Sequence, residues 1–549
     1  MSFFTTITII VFFNSILFTD YPIIHSKIKL FNYFVTDKQI FSIVKYIFIV
    51  SLFFSNLIIV FKFFIFIIPI NNKKEKNIKV PVFGLLIGKD LNNNNIYISE
   101  NSLYQNILVT GSIGSGKTSS AMYPFTKQLI KYESLNNDKK LGFLILDVKG
   151  NYYSKVLEFA NDFNRLDDVI VIEVNGFYKY NPLDKPLLKS SVLANRIKTI
   201  LLLFSPNNSE SYWLDKVEQI LECSINICRI YNDNYVSFEE IHKLVTNYSF
   251  FVDKVKLARK KFVLGKLSNE KCYLLLNSIS FLENDFFSLD ERTHNLLKSE
   301  ITRITNMFVA DYEINKTFCP SKKEENFYGF DDVIKRGKIV VLNMNIAQYK
   351  NLSKIIAAYL KLDFQTDVLK QLSNSSIIKR PTVFISDEYQ EYVTSSDADF
   401  FSQSREAKCI NIVSTQSFTS ILNSLKDQNS TKVIIQNLIN KLCFRTDDIF
   451  TIEEMQKQFG KEEKKRYSKT YSENSKESIY SCISKDFFSV NSSLSESINS
   501  YSQSDFIYDY NFFTQHLDAF TCVCFLSDGN RILKPCQLKM LPYFFNNTL

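Results

Sequence analysis

The sequence predicts an α/β fold with a mainly parallel central sheet, and three observations lead to that prediction. Short apolar runs, which predict buried strands, alternate with stretches of helical spacing along the chain. A glycine-rich turn joins one of these strands directly to a helix. The chain has 549 residues, enough for two or three domains with well-buried cores. Strands that alternate with helices in this way are typical of a parallel sheet covered by helices.

Two apolar segments near the N-terminus predict a membrane anchor over residues 1–79. Segment 2–19 carries no charge, and segment 46–70 is apolar except for Lys62; a membrane-spanning helix needs about 20 such residues. A cleaved signal peptide is the alternative for the first segment, but a basic n-region and a small-residue cleavage site are missing. Four lysines follow the second segment and place that side in the cytoplasm: Lys73, Lys74, Lys76 and Lys79. We therefore expect a multi-pass protein of the cell inner (cytoplasmic) membrane.

Composition sets only broad limits on function. The net charge of +8 is compatible with nucleic acid or an anionic membrane surface and is diagnostic of neither. The 10 cysteines are scattered, and only Cys522 and Cys524 lie close together, alternating along an expected strand. That spacing argues against a zinc site and favours free thiols in a reducing compartment.

The most specific pattern in the chain joins a strand to a helix. The run Ile107-Leu-Val-Thr110 predicts a buried strand, G-x-x-x-x-G-K-T occupies residues 111–118, and a helical stretch follows. In this context the motif predicts a phosphate loop, the alternative being an accidental glycine-rich turn. Backbone N–H groups of such a loop surround a polyphosphate, and the helix N-terminus adds a favourable dipole. The chain is thus expected to bind ATP or GTP.

Within that loop the residue types match the parts of a nucleotide. Lys117 is expected to reach the β- and γ-phosphates, and the Thr118 hydroxyl is expected to coordinate Mg²⁺. The full nucleotide-binding set expected from the motif is Gly111, Ser112, Gly114, Ser115, Gly116, Lys117, Thr118 and Ser119.

The remaining patterns divide the soluble part into three regions. Residues 80–204 form the first part of a nucleotide-binding core, with strands expected at 80–86, 96–99, 107–110, 141–147 and 169–174. Residues 205–325 have apolar positions at helical spacing and few strand signals, which predicts an inserted all-α domain. Residues 326–549 complete the core, with strands expected at 338–343, 382–387, 411–416, 441–445 and 519–526. Within this last region, 14 of the 37 residues in 468–504 are Ser, which predicts a long mobile loop, or alternatively a phosphoregulated segment.

Polar residues at the ends of two expected strands supply the rest of a hydrolytic site. Asp387 would hold Mg²⁺, and Glu388 would act as general base or position the attacking water. Gln416 ends the next strand, where a γ-phosphate sensor and an ordinary strand-end amide are equally consistent with its position. Arg405 falls on the helix expected between these strands; by itself it is best explained as a solvated arginine, the alternative being a finger for a neighbouring subunit.

This set of motifs resembles the type IV secretion coupling proteins, the membrane-anchored ATPases of conjugative DNA transfer. The sequence Asp147-Val-Lys-Gly-Asn151 is similar to the D-P-K-G-E-like motif of that family, with Val148 and Asn151 in place of Pro and Glu. An N-P-L turn at residues 181–183 and Trp213 near the start of the helical insertion extend the likeness. The two departures leave the role of the 147–150 turn open.

The resemblance implies a RecA-like core, assembly as a homo-hexameric ring, and catalytic roles for Lys117, Glu388, Gln416 and Arg405. It also implies ATP and Mg²⁺ as cofactors, and single-stranded DNA, a relaxase–DNA complex or protein effectors as cargo for a secretion channel. Two alternatives remain: an FtsK/HerA-like or viral-packaging-type DNA translocase, and a membrane scaffold that binds nucleotide as a switch. An intact Glu388 argues against the scaffold.

Overall fold

The structure is a computed structural model that describes residues 83–204, 211–373, 380–474 and 493–544, with a few isolated positions before residue 51. Of the two expected membrane segments it describes only Tyr46 and Val50. Over the ranges that it does describe, every helix is too short or too polar to cross a bilayer. The membrane anchor therefore remains a prediction. The elements below all belong to one compact unit, Pro81–Leu549.

A sheet of 11 strands organises this unit. Its strands are β1 (Gly84–Lys89), β2 (Asn95–Ser99), β3 (Ile107–Thr110), β4 (Gly142–Leu146), β5 (Val169–Ile172), β6 (Ile339–Leu342), β7 (Thr382–Ser386), β8 (Cys409–Thr415), β9 (Asn440–Phe444), β12 (Thr521–Phe525) and β13 (Cys536–Met540), and β10 (Lys461–Asn474) and β11 (Ser493–Phe506) form a separate pair. The strands lie in the order β2-β1-β13-β12-β9-β3-β8-β7-β4-β6-β5. The seven from β9 to β5 run parallel, and the other four are antiparallel. The expected α/β fold with a mainly parallel sheet is confirmed.

Burial on both faces explains why these strands are apolar runs rather than alternating ones. Every residue of β3, β4, β6, β7 and β8 is buried. Alternation along β3 sends Leu108 into one apolar cluster, and Ile107 and Val109 into the other. Helices cover both faces, as parallel sheets require.

The described helices, in chain order, are α1 (Glu100–Leu103), α2 (Tyr123–Lys131), α3 (Tyr152–Asp162), α4 (Ser190–Leu203), α5 (Ser211–Tyr231), α6 (Phe238–Thr246), α7 (Tyr248–Val263), α8 (Asn269–Phe281), α9 (Glu291–Val309), α10 (Tyr312–Phe318), α11 (Asp331–Arg336), α12 (Ile346–Tyr349), α13 (Asn351–Ser373), α14 (Asp397–Gln403), α15 (Phe418–Leu425), α16 (Gln428–Asn437) and α17 (Ile449–Phe459). Helices α5 to α10 occupy 211–318, inside the insertion expected at 205–325. Side chains of Ser237, Asp290 and Asp311 cap three of these helices by accepting backbone N–H bonds.

The Ser-rich segment departs from its prediction. Strands β10 and β11 pair antiparallel from Lys461 opposite Phe506 to Asn474 opposite Ser493. The loop expected over 468–504 is therefore wrong at both of its ends, while residues 475–492 lie outside the described residues. The composition argument considered only the burial of apolar side chains. Pairing between two strands satisfies backbone N–H and C=O groups without such burial.

A buried ion pair joins α13 to the segment that follows strand β7. Lys361 Nζ lies 2.6 Å from Asp397 Oδ2, and both side chains are 0% exposed. Lys361 Nζ also donates to the Tyr392 carbonyl oxygen at 2.7 Å, and the Tyr389 hydroxyl donates to Asp397 Oδ2 at 2.5 Å. The pair thus anchors residues 389–397, directly after Glu388.

Replacing Lys361 with Met should destabilise the protein strongly, because Asp397 would be left as a buried charge without its counter-ion. Breaking a buried pair from one side costs about 3–5 kcal/mol, which urea unfolding of the full chain measures. Lys370→Met is the matched control: Lys370 pairs with Asp367 on the same helix but is half exposed, so its loss should cost about 1 kcal/mol or less. Equal unfolding midpoints for the two variants would contradict the assignment.

Candidate nucleotide site

The phosphate loop lies at the edge of the sheet where the parallel strands end. Strand β3 ends at Thr110, and one turn of π-helix, Thr118–Met122, leads into α2. Gly111, Gly114 and Gly116 have φ angles of +152°, +78° and +95°. Residues with a side chain rarely adopt these values, so the loop conformation depends on glycine.

Two of the three glycines also lie too close to their neighbours for a side chain. A Cβ at Gly116 would lie 2.5 Å from Cδ1 of Phe520, and a Cβ at Gly111 would lie 2.6 Å from Cβ of Phe444. At Gly114 no atom of the described residues lies within 4 Å of the corresponding position. The loop is therefore packed closely against the strands behind it at Gly111 and Gly116, and open at Gly114.

Gly116→Ala should weaken nucleotide binding more than Gly114→Ala. Both variants place an alanine at positive φ, which costs about 1–3 kcal/mol, but only alanine at 116 would also displace Phe520. A fluorescent nucleotide titration of both full-length variants measures the difference. Equal affinities would show that contact with Phe520 does not shape the loop.

The serines of the loop donate to its own backbone. Ser112 Oγ donates to the Arg445 carbonyl oxygen at 3.0 Å, and Ser115 Oγ donates to the Ser112 carbonyl oxygen at 2.8 Å. Ser119 Oγ donates to the Gly116 carbonyl oxygen at 3.3 Å. These bonds hold the turn in shape and tie it to the end of β9.

Lys117 and Thr118 lie where the motif places them. Lys117 Nζ donates to the carbonyl oxygens of Gly111 at 2.5 Å and Ser112 at 3.0 Å. Burial lowers the pKa of Lys117, although the nearby Glu388 and Asp387 carboxylates act in the opposite direction. Thr118 Oγ1 donates to Asp387 Oδ2 at 3.0 Å. The two residues expected to coordinate Mg²⁺ are therefore adjacent, although 269 positions separate them in the sequence.

Glu388 follows Asp387, just after the end of β7. Its backbone is in the left-handed region, with φ +52° and ψ +48°. Three donors hold its carboxylate: Lys149 Nζ at 2.6 Å on Oε1, and Gln390 Nε2 at 2.7 Å and Gln416 Nε2 at 3.2 Å on Oε2. Burial alone would raise the pKa of Glu388, but these hydrogen bonds outweigh it and lower the pKa. For Asp387, which is almost fully buried, burial prevails and raises the pKa. The two neighbouring carboxyls thus differ in proton affinity.

Sequence reasoning left the role of the 147–150 turn open, and the structure assigns it one. Asp147 Oδ1 accepts the Lys149 N–H at 3.0 Å, and its Oδ2 accepts the N–H groups of Asn151 and Tyr152 at 3.2 Å each. This turn directs Lys149 to Glu388, and the bond to Glu388 raises the Lys149 pKa in spite of burial. The D-x-K-G pattern marked this turn in the sequence. The contact of Lys149 with Glu388, however, depends on β4 lying beside β7 in the sheet.

Residues 381–505 match a family model described as the TraM recognition site of TraD and TraG. Curated proteins give no match to the sequence. Solved structures of the bacterial conjugative coupling protein TrwB match the fold. The unbound form has a TM-score of 0.51 and 13% sequence identity, and the match covers 81% of this chain and 87% of that chain. The complex with ADP and Mg²⁺ has a TM-score of 0.51, 13% identity and coverage of 82% and 88%, and the complex with a non-hydrolysable ATP analogue has a TM-score of 0.52, 11% identity and coverage of 81% and 87%.

The resemblance to the type IV secretion coupling proteins is confirmed. The structural likeness to TrwB is one of fold, and it extends over most of both chains. The part that matches the TraD and TraG model contains Asp387, Glu388, Arg405 and Gln416. The phosphate loop and Lys149 lie outside that part.

Arg405 departs from its expected position. The helix expected to carry it, α14, ends at Gln403, and Arg405 lies in the turn that precedes β8. It is exposed, and its Nη2 donates to the Gly529 carbonyl oxygen at 3.3 Å. Because β8 runs parallel to β3, this turn lies at the edge opposite the phosphate loop. Arg405 therefore takes no part in the site of its own subunit.

A cavity of about 900 Å³ opens beside the phosphate loop. Ser112, Ile113 and Gln416 border it on the loop side, and Asp447, Asp448 and Glu453 on the other. Asp448 caps α17 by accepting the Thr451 N–H at 2.9 Å, and the Thr419 hydroxyl donates to it at 2.6 Å. Sequence analysis did not single out these acidic residues, because a helix-capping aspartate has the same local pattern in any fold.

Proposed function

We propose that this chain is a membrane-anchored ATPase that couples ATP hydrolysis to the transfer of DNA, a relaxase–DNA complex or protein effectors into a type IV secretion channel. One observation carries the proposal: Thr118, Asp387, Glu388 and Gln416, from three separate parts of the chain, meet beside the phosphate loop. The match to the TraD and TraG model and the TrwB fold support the choice among motor classes.

The residues present fit a nucleotide with Mg²⁺. The glycine loop has positive φ at Gly111, Gly114 and Gly116, a backbone that can turn N–H groups towards phosphates, and the Thr118–Asp387 pair provides two oxygens of the kind Mg²⁺ prefers. TrwB has been solved with ADP and Mg²⁺. When bound, Mg²⁺ and ATP would supply the phosphoryl group and neutralise its developing charge.

The protein's own contribution is positioning and proton transfer. Glu388 has a lowered pKa and is ionised at neutral pH, as a base that accepts a proton from water must be. Lys149 and Gln416 orient its two oxygens. Lys117 is held at the loop by two carbonyl oxygens, within the site where phosphates would lie. The arrangement supports hydrolysis over a purely structural use of nucleotide.

Membrane anchoring, the hexameric ring and a finger role for Arg405 belong to the same proposal. Arg405 is exposed at the sheet edge opposite its own site, and a finger supplied in trans reaches a neighbour's nucleotide rather than its own. An FtsK/HerA-like or packaging-type translocase is the competing function; the match to the TraD and TraG model favours conjugation.

The deciding experiment compares ATP hydrolysis by the full-length protein in detergent with and without single-stranded DNA, together with its mass in solution. We expect DNA to stimulate hydrolysis and the assembled species to be the active one. Hydrolysis that responds neither to DNA nor to assembly would overturn the DNA-transfer function. Loss of plasmid transfer in a deletion strain, without a division or packaging defect, separates conjugation from the competing motors.

Lys149→Met should shift the pH dependence of hydrolysis upwards. Hydrolysis requires ionised Glu388, so its rate falls as pH drops through the Glu388 pKa, which Lys149 helps to hold below the usual carboxyl range. Without Lys149 the burial effect is less opposed, the pKa rises, and activity is lost at a higher pH. Lys155→Met, which removes the ion-pair partner of Glu158 on α3, should leave the profile unchanged. If the rate falls at the same acid pH in the unmodified protein, Lys149→Met and Lys155→Met, the role of Lys149 is contradicted.

A further inference from the structure

A second cavity lies at the sheet edge opposite the phosphate loop. Its volume is about 680 Å³, and the start of β9, helices α16 and α17, and the turn after β12 surround it. Gln105, directly before β3, forms part of its floor. We call it the Lys441 cavity, after the residue on β9 that lines it. Its volume falls within the range of small-molecule sites, about 300–1,000 Å³.

Lys441 differs from the other buried lysines of the described residues. It is 3% exposed, and its Nζ lies 6.0 Å from the ring centroid of Phe525, its cross-strand neighbour. Lys117, Lys140 and Lys361 are also buried, and each donates to carbonyl or carboxylate oxygens. Over the same part of the chain, Lys441 has neither a hydrogen bond nor an ion pair. A buried ammonium without a partner is costly, so the cavity beside it is the place where a partner would bind.

Two residues of the lining carry buried acceptors. Over the described residues, the side-chain carbonyl oxygens of Gln105 and Gln458 are buried without a hydrogen-bond donor. The amide nitrogen of Gln105 donates to the Gly529 carbonyl oxygen at 3.1 Å, which accounts for its orientation. The residues around the cavity therefore include one cation and two acceptor oxygens that have no hydrogen-bond partner among the described residues.

Charge at the mouth is also mainly positive. Lys432 and Arg531 line the cavity, and Arg531 pairs with Asp528 at 3.1 Å. Glu454 is the only carboxylate in the described lining, and it pairs with Lys457 at 3.0 Å. An anion that enters thus meets little opposing charge.

The remaining walls are mainly apolar, with the polar residues Gln436, Ser527 and Asn530 among them. Ile435, Ile439, Phe450, Phe525 and Ile532 surround the polar floor. Apolar walls around a few polar groups are typical of sites for small organic molecules, with the polar groups fixing orientation.

We propose that the Lys441 cavity binds a small organic anion. A phosphate or carboxylate group of the ligand pairs with Lys441, and its apolar body lies against Phe450 and Phe525. This site is separate from the nucleotide site and does not depend on the proposed function. Phe450 borders both cavities, so a ligand here would contact a residue of the nucleotide side.

Amine reactivity provides a direct readout of this site. Burial lowers the pKa of Lys441 to about 8, so near that pH an appreciable fraction of the amine is neutral and open to acylation. A bound anion favours the charged form and raises the pKa, and it also blocks access. Both effects reduce labelling of Lys441.

The experiment labels the full-length protein with trace acetic anhydride at pH 8 and measures acetylation of Lys441 by mass spectrometry. Phenyl phosphate, benzoate and inorganic phosphate are the three probes. We expect phenyl phosphate or benzoate to reduce Lys441 labelling several-fold, and the more effective of the two identifies the head group. Exposed Lys457, on the same side of α17, is the internal control and should label equally throughout. Unchanged Lys441 labelling with all three probes, or protection by inorganic phosphate alone, would overturn the proposal.

A variant tests the same site by direct binding. Lys441→Met keeps the length of the side chain and removes an unpaired buried charge, so the fold should be at least as stable in urea unfolding. Saturation-transfer NMR with the protecting probe should lose its signal in Lys441→Met and keep it in Lys457→Met. Equal signals in the two folded variants would show that the probe binds elsewhere.

Discussion

Glu388→Gln should lower the rate of ATP hydrolysis by about 10²–10⁴-fold, the contribution of a positioned general base. Gln has nearly the same shape, and its one carbonyl oxygen can still accept from Lys149, but it cannot take a proton from water. Nucleotide affinity should therefore change little while turnover falls. Single-turnover hydrolysis by the full-length protein, alongside a nucleotide titration, measures the two quantities separately.

The matched control for this variant is Glu391→Gln. Glu391 lies three residues further on and pairs with Lys354 at 2.5 Å, outside the nucleotide site. It should hydrolyse ATP at the unmodified rate. If Glu388→Gln retains that rate as well, Glu388 is not the base, and the non-enzymatic switch becomes the better explanation of the phosphate loop.

Lys117→Ala should weaken nucleotide binding by about 10–100-fold, corresponding to the roughly 1.5–3 kcal/mol of a hydrogen bond to a charged group. Hydrolysis should fall at least as far, since the same ammonium would stabilise charge on the phosphates. A fluorescent nucleotide titration in Mg²⁺ measures binding, and phosphate release measures hydrolysis.

Lys127→Ala serves as its control. Lys127 is on α2, the helix that follows the loop, and pairs with Asp162 at 3.3 Å across to α3. Its removal changes the net charge equally but leaves the loop intact, so affinity should be unchanged. A loss of affinity shared by both variants would mean that net charge, rather than the position of Lys117, determines binding.

Expectations from sequence were most accurate where chemistry is local. Strand β3 has the predicted bounds, Ile107–Thr110, because the loop, its glycines and the helix after it are consecutive in the chain. The pairing of Asp387 with Thr118 also followed, since parallel strands share one carboxyl edge and the acidic pair ends an apolar strand.

Three features could not be obtained in that way. The contact of Lys149 with Glu388 depends on β4 and β7 being neighbours in the sheet, and no local sequence pattern encodes that arrangement. Arg405 was assigned to a helix that ends two residues earlier, because helix ends depend on capping and packing. The ribbon of β10 and β11 was missed because its stability comes from cross-strand pairing between segments that composition treats separately.

For this chain, sequence alone determined that a phosphate loop joins β3 to α2 and that a carboxylate pair ends β7, because glycine spacing and strand-end polarity are local properties. Only the tertiary structure decided which groups contact Glu388, that Arg405 lies away from its own site, and that Lys441 is buried beside a cavity without a hydrogen-bond or ion-pair partner in the described part of the chain. Those three outcomes depend on strand order and on the packing of distant segments. The free energy of a buried charge depends on what surrounds it in space, and neighbours in the chain do not specify those surroundings.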